Sequence, residues 1–285
     1  MNAAFEGLAR KARSRTLVMG ILNLTPDSFF DGGRNQGLQA ALATARAMAA
    51  EGADILDLGG ESTRPGAPAV SLQEERARVR PLAEALAKEL PGVAWSIDTT
   101  KPQIAAMALD LGACLVNDQD ACADAGMARL VAERGCGICL MHRLGAASGM
   151  AASPQEQSHY SPFGVVAVVA DHLQMRAAAL EALGVERAAI WLDPGFGFNK
   201  TVAENFSLLK HQQAFAKGGY GVLVGTSRKS SLGAVLGGLP AGERLEATAA
   251  TVASAVLQGA ACVRVHDVKA MARVAKVAQA IRDAD

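Results

Sequence analysis

Eight short apolar runs set the terms for any fold this chain can adopt: Leu17–Leu22, Ile55–Leu58, Val93–Ile97, Cys114–Val116, Ile138–Met141, Ile190–Leu192, Val222–Val224 and Cys262–Val265. Each is too short for a buried helix and suits a strand covered on both faces. The longer segments between them carry helical spacing. Ser71-Leu-Gln-Glu74 fits a capping box, and Leu72, Val79, Ala83, Leu86 and Leu90 then share one face. Lys101-Pro102 opens another helix, with Ile104, Met107, Ala108 and Leu111 on its apolar side. Strands alternating with helices imply βαβ units and a parallel sheet. Eight such units in 285 residues predict an α/β fold of one domain over 1–285, a closed (β/α)8 or TIM barrel. An open doubly wound sheet is the alternative.

In such a barrel the functional residues follow the strands, at their carboxyl ends. The apolar runs here lead into Asn23-Leu-Thr-Pro-Asp27, Gly59-Gly-Glu-Ser-Thr-Arg-Pro65, Asp98-Thr-Thr100, Asn117-Asp118, His142, Asp193-Pro-Gly-Phe-Gly-Phe198, Ser227-Arg-Lys-Ser230, and Arg264, His266 and Asp267. Polar loops alone do not explain ionisable groups pressed against apolar strand ends, where desolvation costs several kcal/mol unless a partner is present. A shared site on this face explains them.

The cations Arg64, Arg228, Lys229, Arg264 and His266 converge in this arrangement and suit a phosphate or diphosphate. Arg264 and His266 are two apart on a strand end and point the same way. The alternative is a set of salt bridges to Glu61, Asp118 or Asp267. Arg228 reads as the structural member, because a neighbour of Lys229 points away from it. Asp98, Asn117 and Asp193 end strands three, four and six. A carboxylate can grip adjacent N–H donors and an asparagine offers both donor and acceptor, which suits a guanine-like or pterin-like ring. The competing role for these carboxylates is a core pair with Lys229. Lys229 could also form a Schiff base.

Other chemistries lack their signatures. Net charge is zero, with 28 basic and 28 acidic residues, so nothing recruits nucleic acid or an anionic membrane. No apolar stretch reaches membrane-spanning length, the first fifteen residues lack a signal-peptide core, and the expected compartment is the cytoplasm. Five cysteines, an odd number, argue against a disulfide framework, and Cys136-Gly-Ile-Cys139 reads as core packing. Gly195-Phe-Gly-Phe-Asn-Lys200 is not a dinucleotide fingerprint; its glycines let the loop fold tightly, with Phe198 as an apolar wall or as ordinary packing. His159, His172 and His211 read as non-functional.

Seven segments together resemble the dihydropteroate synthase family: MGILNLTPDSFFDGG (19–33), GGESTRPGA (59–67), SIDTTKP (96–102), VND (116–118), LDPGFGF (192–198), VGTSRKS (224–230) and RVHDV (264–268). The resemblance implies a transferase that joins 6-hydroxymethyl-7,8-dihydropterin diphosphate to 4-aminobenzoate and releases diphosphate. It implies that Asp98, Asn117, Asp193 and Lys229 hold the pterin, and that Asn23, Arg64, Arg264 and His266 hold the diphosphate, with Asn23 also a magnesium ligand. Lys229, Asp98, Arg264 and His266 would be the catalytic set. Thr63, Arg64, Pro65, Phe198 and Ser230 would surround the aminobenzoate, and Phe29 and Asp31 would lie in a mobile loop. It further implies a cytoplasmic homodimer inhibited by sulfonamides.

The sequence departs from the family pattern in three loops. Asn117-Asp-Gln-Asp120 stands where NDI or NDV is common. Met141-His-Arg-Leu-Gly145 runs into AASGMAASPQEQSHYSP where MHMQG is common, and Asn199 replaces a usual glycine. Two alternatives to the synthase stay open on these grounds: a non-catalytic pterin-binding paralogue, and a methyltetrahydrofolate-dependent methyltransferase, which would have no use for Arg64, Arg264 and His266 as a diphosphate cluster.

Overall fold

A computed structural model describes residues 1–24, 34–61, 69–143, 160 and 164–285. Eight parallel strands close into a barrel in sequence order, which settles the choice against an open sheet. They are β1 (Leu17–Asn23), β2 (Ile55–Gly59), β3 (Ala94–Asp98), β4 (Leu115–Asp118), β5 (Gly137–Met141), β6 (Ile190–Asp193), β7 (Gly221–Val224) and β8 (Cys262–Val265). Closure is made by β1 against β8, with Leu17 opposite Cys262 and Met19 opposite Arg264. The strands are almost wholly buried, as apolar runs between a helical shell and a filled interior must be.

The helices start where local chemistry directs. Ser71 caps Leu72–Glu89 by accepting the Glu74 N–H at 3.2 Å. The reciprocal half of the expected capping box is not formed, because the Glu74 side chain pairs with Arg78 instead. Val79, Ala83 and Leu86 are buried on that helix, whereas Leu72 is 38% exposed and falls outside the apolar face expected for it. Pro102 begins Pro102–Asp110, where its missing N–H costs nothing, and Ile104, Met107 and Ala108 are buried.

The amino end of the barrel is sealed by the helix Ala3–Ser14, whose Phe5 is fully buried with its ring 5.2 Å from Trp191. A side chain at Gly137 would come within 2.3 Å of the Phe5 ring, so only glycine admits this plug. With one mouth closed, the carboxyl ends of the strands remain as the open face. All five cysteines are buried and unpaired, and burial pushes the Cys136 thiol up to about 12. The C-x-x-C is core packing.

Candidate active site

The strand register sets out the site. Asn23 lies opposite Gly59, Gly59 opposite Asp98, and Asp98 opposite Asn117, so four consecutive strands bring one row to the same height. One layer below, Asp57 is opposite Ser96. Residues two apart on a strand share a face, so Asp57 and Ser96 sit beneath Gly59 and Asp98. Gly59 leaves the row open: a Cβ there would be 3.6 Å from both Asn23 Oδ1 and Asp98 Cβ.

Asp57 is fully buried and organises the interior. It accepts from Ser96 Oγ at 2.6 Å, Asn117 Nδ2 at 3.3 Å and Arg264 Nε at 2.6 Å. Arg264 also donates from Nη2 to Asp98 Oδ2 at 2.8 Å. The salt-bridge alternative for the cations therefore holds for Arg264, but with Asp57 and Asp98 rather than with Glu61, Asp118 or Asp267. Glu61 is taken by Lys101 at 2.5 Å, and Asp118 accepts the backbone N–H groups of Asp120 and Cys122. Arg228 is the structural residue its position suggested: it makes a two-point pair with Asp267, at 3.0 and 2.6 Å.

Burial raises Asp98 to about 7, opposed by Arg264 and Gln119 and assisted by Asp57 and Glu75. Asp193 is also raised, chiefly by burial, although its Oδ1 accepts the Gly195 N–H at 2.7 Å. Lys229 is lowered to about 8 by burial, against the pull of Asp193 and Asp98. It has no ion pair among the described residues; its Nζ lies 3.8 Å from the centroid of the Phe198 ring. That geometry supports Phe198 as a wall of the site. His266 is lowered to about 4, first by burial and then by Arg264 and Arg228, so the ring is neutral at pH 7. Ser227 Oγ accepts its backbone N–H at 3.2 Å and lies 3.0 Å from Nδ1.

The loop after β6 folds onto these groups. Gly195 and Gly197 have φ of +70° and +83°, and added Cβ atoms would lie 1.9 Å from the His142 carbonyl oxygen and 2.8 Å from Lys229 Cδ. Asn199, at φ +49°, takes a left-handed position that asparagine tolerates. Lys200 is the loop's clamp. It is 6% exposed, and its Nζ donates to the carbonyls of Gly195 and Phe198 at 3.0 Å and of His142 at 3.3 Å.

Thus Asn23, Asp98, Asn117, Asp193, Phe198, Lys229, Arg264 and His266 are gathered at one end of the barrel, and Ser230 opens the helix Ser230–Val235 beside Lys229. Phe29, Asp31, Thr63, Arg64, Pro65 and His159 lie outside the described residues. Asp57, Gln119 and Lys200 belong to the site but were not singled out from sequence. Asp57 had a legible signal, a lone carboxylate inside the apolar run Ile55–Leu58. His172 and His211 do not join the site: His172 packs edge-on to His142, and His211 Nδ1 lies 3.0 Å from the Ser207 carbonyl oxygen.

An open barrel face that pairs buried carboxylates with cations defines a site for a polar heterocycle carrying an anionic group. Residues 19–266 match the family model described as pterin binding enzyme. The dihydropteroate synthase of Bacillus subtilis is 44% identical over 270 residues, covering 94% of this chain and 90% of that protein. That of Neisseria meningitidis serogroup C is 45% identical, covering 93% and 92%. Among solved structures, the Xanthomonas albilineans dihydropteroate synthase with 4-aminobenzoic acid superposes with a TM-score of 0.86 at 40% identity, covering 95% of this chain and 94% of that one. The Burkholderia cenocepacia enzyme complexed with 7,8-dihydropteroate gives 0.82 at 45% identity, covering 94% and 92%. The chain belongs to the pterin-binding enzymes and, within them, to the dihydropteroate synthase family. It is a transferase of folate biosynthesis that condenses 6-hydroxymethyl-7,8-dihydropterin diphosphate with 4-aminobenzoate, giving 7,8-dihydropteroate and diphosphate.

Proposed function

We propose that the 285 residues form one pterin-binding barrel domain and that its open face divides the two substrates between its strands. The observation that carries this reading is the meeting of buried carboxylates, Asp98 and Asp193, with the cation of Lys229 at one end of the barrel. Asp98, Asn117, Asp193 and Lys229 hold the pterin. The carboxylates take its N–H donors and Lys229 its acceptors, in a site dry enough to strengthen each bond. His266 and Arg64 face the diphosphate. Arg264 joins them with the guanidinium edge not already spent on Asp57 and Asp98. Phe198, Ser230, Thr63, Arg64 and Pro65 surround the aminobenzoate, and Phe29 and Asp31 act on the same substrate.

Catalysis then needs no covalent nucleophile. The C–O bond to diphosphate breaks with its electron pair leaving on oxygen. The aminobenzoate nitrogen forms the new C–N bond and its proton passes to solvent. Lys229, Arg264 and His266 stabilise the departing negative charge from fixed positions, and the Phe198 wall keeps the amine in line with the leaving group. The Arg264–Asp98 bond ties the diphosphate side of the site to the pterin side.

Magnesium is part of the proposal. Among the described residues no group of three or more His, Cys, Asp or Glu side chains is placed to hold a metal. Asn23 Oδ1 offers one hard oxygen in the site row, and magnesium is commonly held by one or two protein oxygens plus substrate phosphates, so this donor fits. When bound there, the ion would supply charge neutralisation on diphosphate.

A cytoplasmic homodimer inhibited by sulfonamides completes the reading. Leu257, Val277 and Ile281 on the last two helices are 44%, 62% and 61% exposed, which suits burial against a second copy. No helix among the described residues is long and apolar enough to cross a membrane. The Yersinia pestis relative has been solved in complex with a sulfonamide drug.

The test supplies purified protein with the two substrates and magnesium. Dihydropteroate formed with equimolar diphosphate, lost in Lys229→Ala and strongly slowed in Asp98→Asn, supports these assignments. Product formed at the wild-type rate in both variants would overturn them.

A further inference from the structure

Gln119 stands just past β4, on the loop that departs from the family pattern, and it is 5% exposed. Its Nε2 donates to Asp98 Oδ1 at 2.8 Å, while Arg264 Nη2 donates to the other oxygen, Oδ2, also at 2.8 Å. The carboxylate is thus held from both sides, by β8 and by the loop after β4. The carboxamide has one workable orientation, since turning it over would set Oε1 against a carboxylate oxygen. In this orientation Oε1 is buried with no hydrogen-bond partner among the described residues.

A buried acceptor without a partner costs about 1–3 kcal/mol. An aliphatic residue of similar size would bury no acceptor but would give up the bond to Asp98. The loop nevertheless fixes it firmly. Ala121 and Cys122 adopt left-handed φ of 50° and 53°, an unfavourable conformation for residues other than glycine. Asp118 holds that backbone by accepting the N–H groups of Asp120 at 2.8 Å and Cys122 at 2.9 Å. Arg176 donates to the carbonyl of Ala121 at 2.8 Å and to that of Cys122, and Arg143 pairs with Asp120 at 2.6 Å. A strained, many-point anchored turn delivers one amide to one carboxylate.

We propose that Gln119 is a positioning residue for dihydropterin binding: its Nε2–H bond orients the Asp98 carboxylate toward the substrate. This rests on the reading of Asp98 as a pterin ligand. The groups facing Asp98 are Arg264 from β8, Asp57 from β2, Lys229 from beyond β7, Glu75 from the helix Leu72–Glu89, and Gln119 itself. Two cations and one amide oppose two other carboxylates and burial. Losing the amide therefore shifts the balance toward the protonated acid.

The experiment compares wild type, Gln119→Leu, Asp98→Asn and the double variant by steady-state kinetics from pH 5 to 9, with thermal melts alongside. A hydrogen bond to a charged group supports an expected rise of about tenfold in the KM for dihydropterin diphosphate in Gln119→Leu. The KM for 4-aminobenzoate should stay constant. The acid limb of kcat/KM should move up by about one pH unit. The melting temperature should change little, because the lost bond to Asp98 is offset by the removal of a buried acceptor. In the Asp98→Asn background, Gln119→Leu should add little, since the two act as one unit. A lowered melting temperature with an unmoved acid limb and pterin KM would make Gln119 merely structural and overturn the inference. Normal pterin KM in Asp98→Asn would instead show that Asp98 is not the ligand. An impaired Asp98→Asn beside an unaffected Gln119→Leu would refute the inference and leave the Asp98 assignment standing.

Discussion

Lys229 Nζ sits 3.8 Å from the centroid of the Phe198 ring, so the loop that follows β7 meets the loop that follows β6 directly. A cation over an aromatic face is held there without a direct ion pair, which leaves the N–H donors of Lys229 to act on a ligand. Its protonated form is required for that, and burial has lowered it to about 8. Activity should therefore fall as pH rises through about 8 in substrate-limited assays, as the ammonium loses its proton. Lys229→Arg carries a charge that does not titrate there, so its residual activity should lack this basic limb. A limb of the same position in Lys229→Arg would assign it to another group.

Asp57 carries the interior more than the chemistry. Three donors converge on it, and it is fully buried. Asp57→Ala leaves Arg264 with Asp98 as its ion-pair partner among the described residues and strips Ser96 and Asn117 of an acceptor. Removing one partner of a buried pair costs about 3–5 kcal/mol. The chemical-denaturation midpoint should fall accordingly, and Asp57→Asn, which keeps an acceptor, should lose less. Equal midpoints for wild type and Asp57→Ala would rule this out.

Much of this was written in the sequence, and the rest was hidden for identifiable reasons. Strand runs end in their polar residues because a closed parallel barrel leaves one face open, so Asn23, Asp98, Asn117, Asp193 and Arg264 could be gathered without coordinates. The pairing of Arg264 could not: Asp57 and Asp98 sit 207 and 166 residues away, and only register brings them together. Lys200 gave no signal in the sequence, because its burial depends on three carbonyls that only the folded loop brings around it. Gln119 was visible as an unusual residue, but its role depends on a side-chain orientation no periodicity encodes. The capping box at Ser71 was half right, since Glu74 had a better partner in Arg78.

Asn23 offers a test of the metal. If its Oδ1 is the protein's donor to magnesium, a chelator should abolish turnover in wild type and restored magnesium should recover it. Asn23→Ala should need about tenfold more magnesium for half-maximal rate, the scale of one lost favourable contact of ~1.4 kcal/mol. Unchanged magnesium dependence in Asn23→Ala would remove it from the metal site.

Lys200 should matter for the loop's stability. Its ammonium is costly to bury, and burial has lowered it to about 7, yet it satisfies three carbonyls at once. Each orphaned buried acceptor costs about 1–3 kcal/mol. Against this, Lys200→Met recovers the desolvation of the charge. A net loss of about 2 kcal/mol is expected in urea unfolding, with faster amide exchange across residues 195–199. Unchanged stability and exchange would show that the carbonyls find other donors.

His142 predicts a pH dependence of opposite origin. The ring is 3% exposed, with His172 edge-on at 5.1 Å, and Nδ1 lacks a hydrogen-bond partner among the described residues. Burial, then Lys200 and His172, lower it from 6.5 to about 3. At pH 7.5 and above it is largely neutral in both folded and unfolded protein and contributes little pH dependence. As pH falls below 6.5 the unfolded chain takes up a proton that the folded chain refuses, so stability declines until about pH 3, where the folded ring also protonates. His142→Phe keeps a ring and removes the titration. Groups that titrate alike in both proteins cancel in the difference. The variant should therefore gain about 1.4 kcal/mol relative to wild type between pH 7.5 and 5.5, read from paired denaturation curves. A stability difference that stays flat over this range would mean that His142 accepts a proton as readily folded as unfolded, and that its burial beside Lys200 is not felt by the ring.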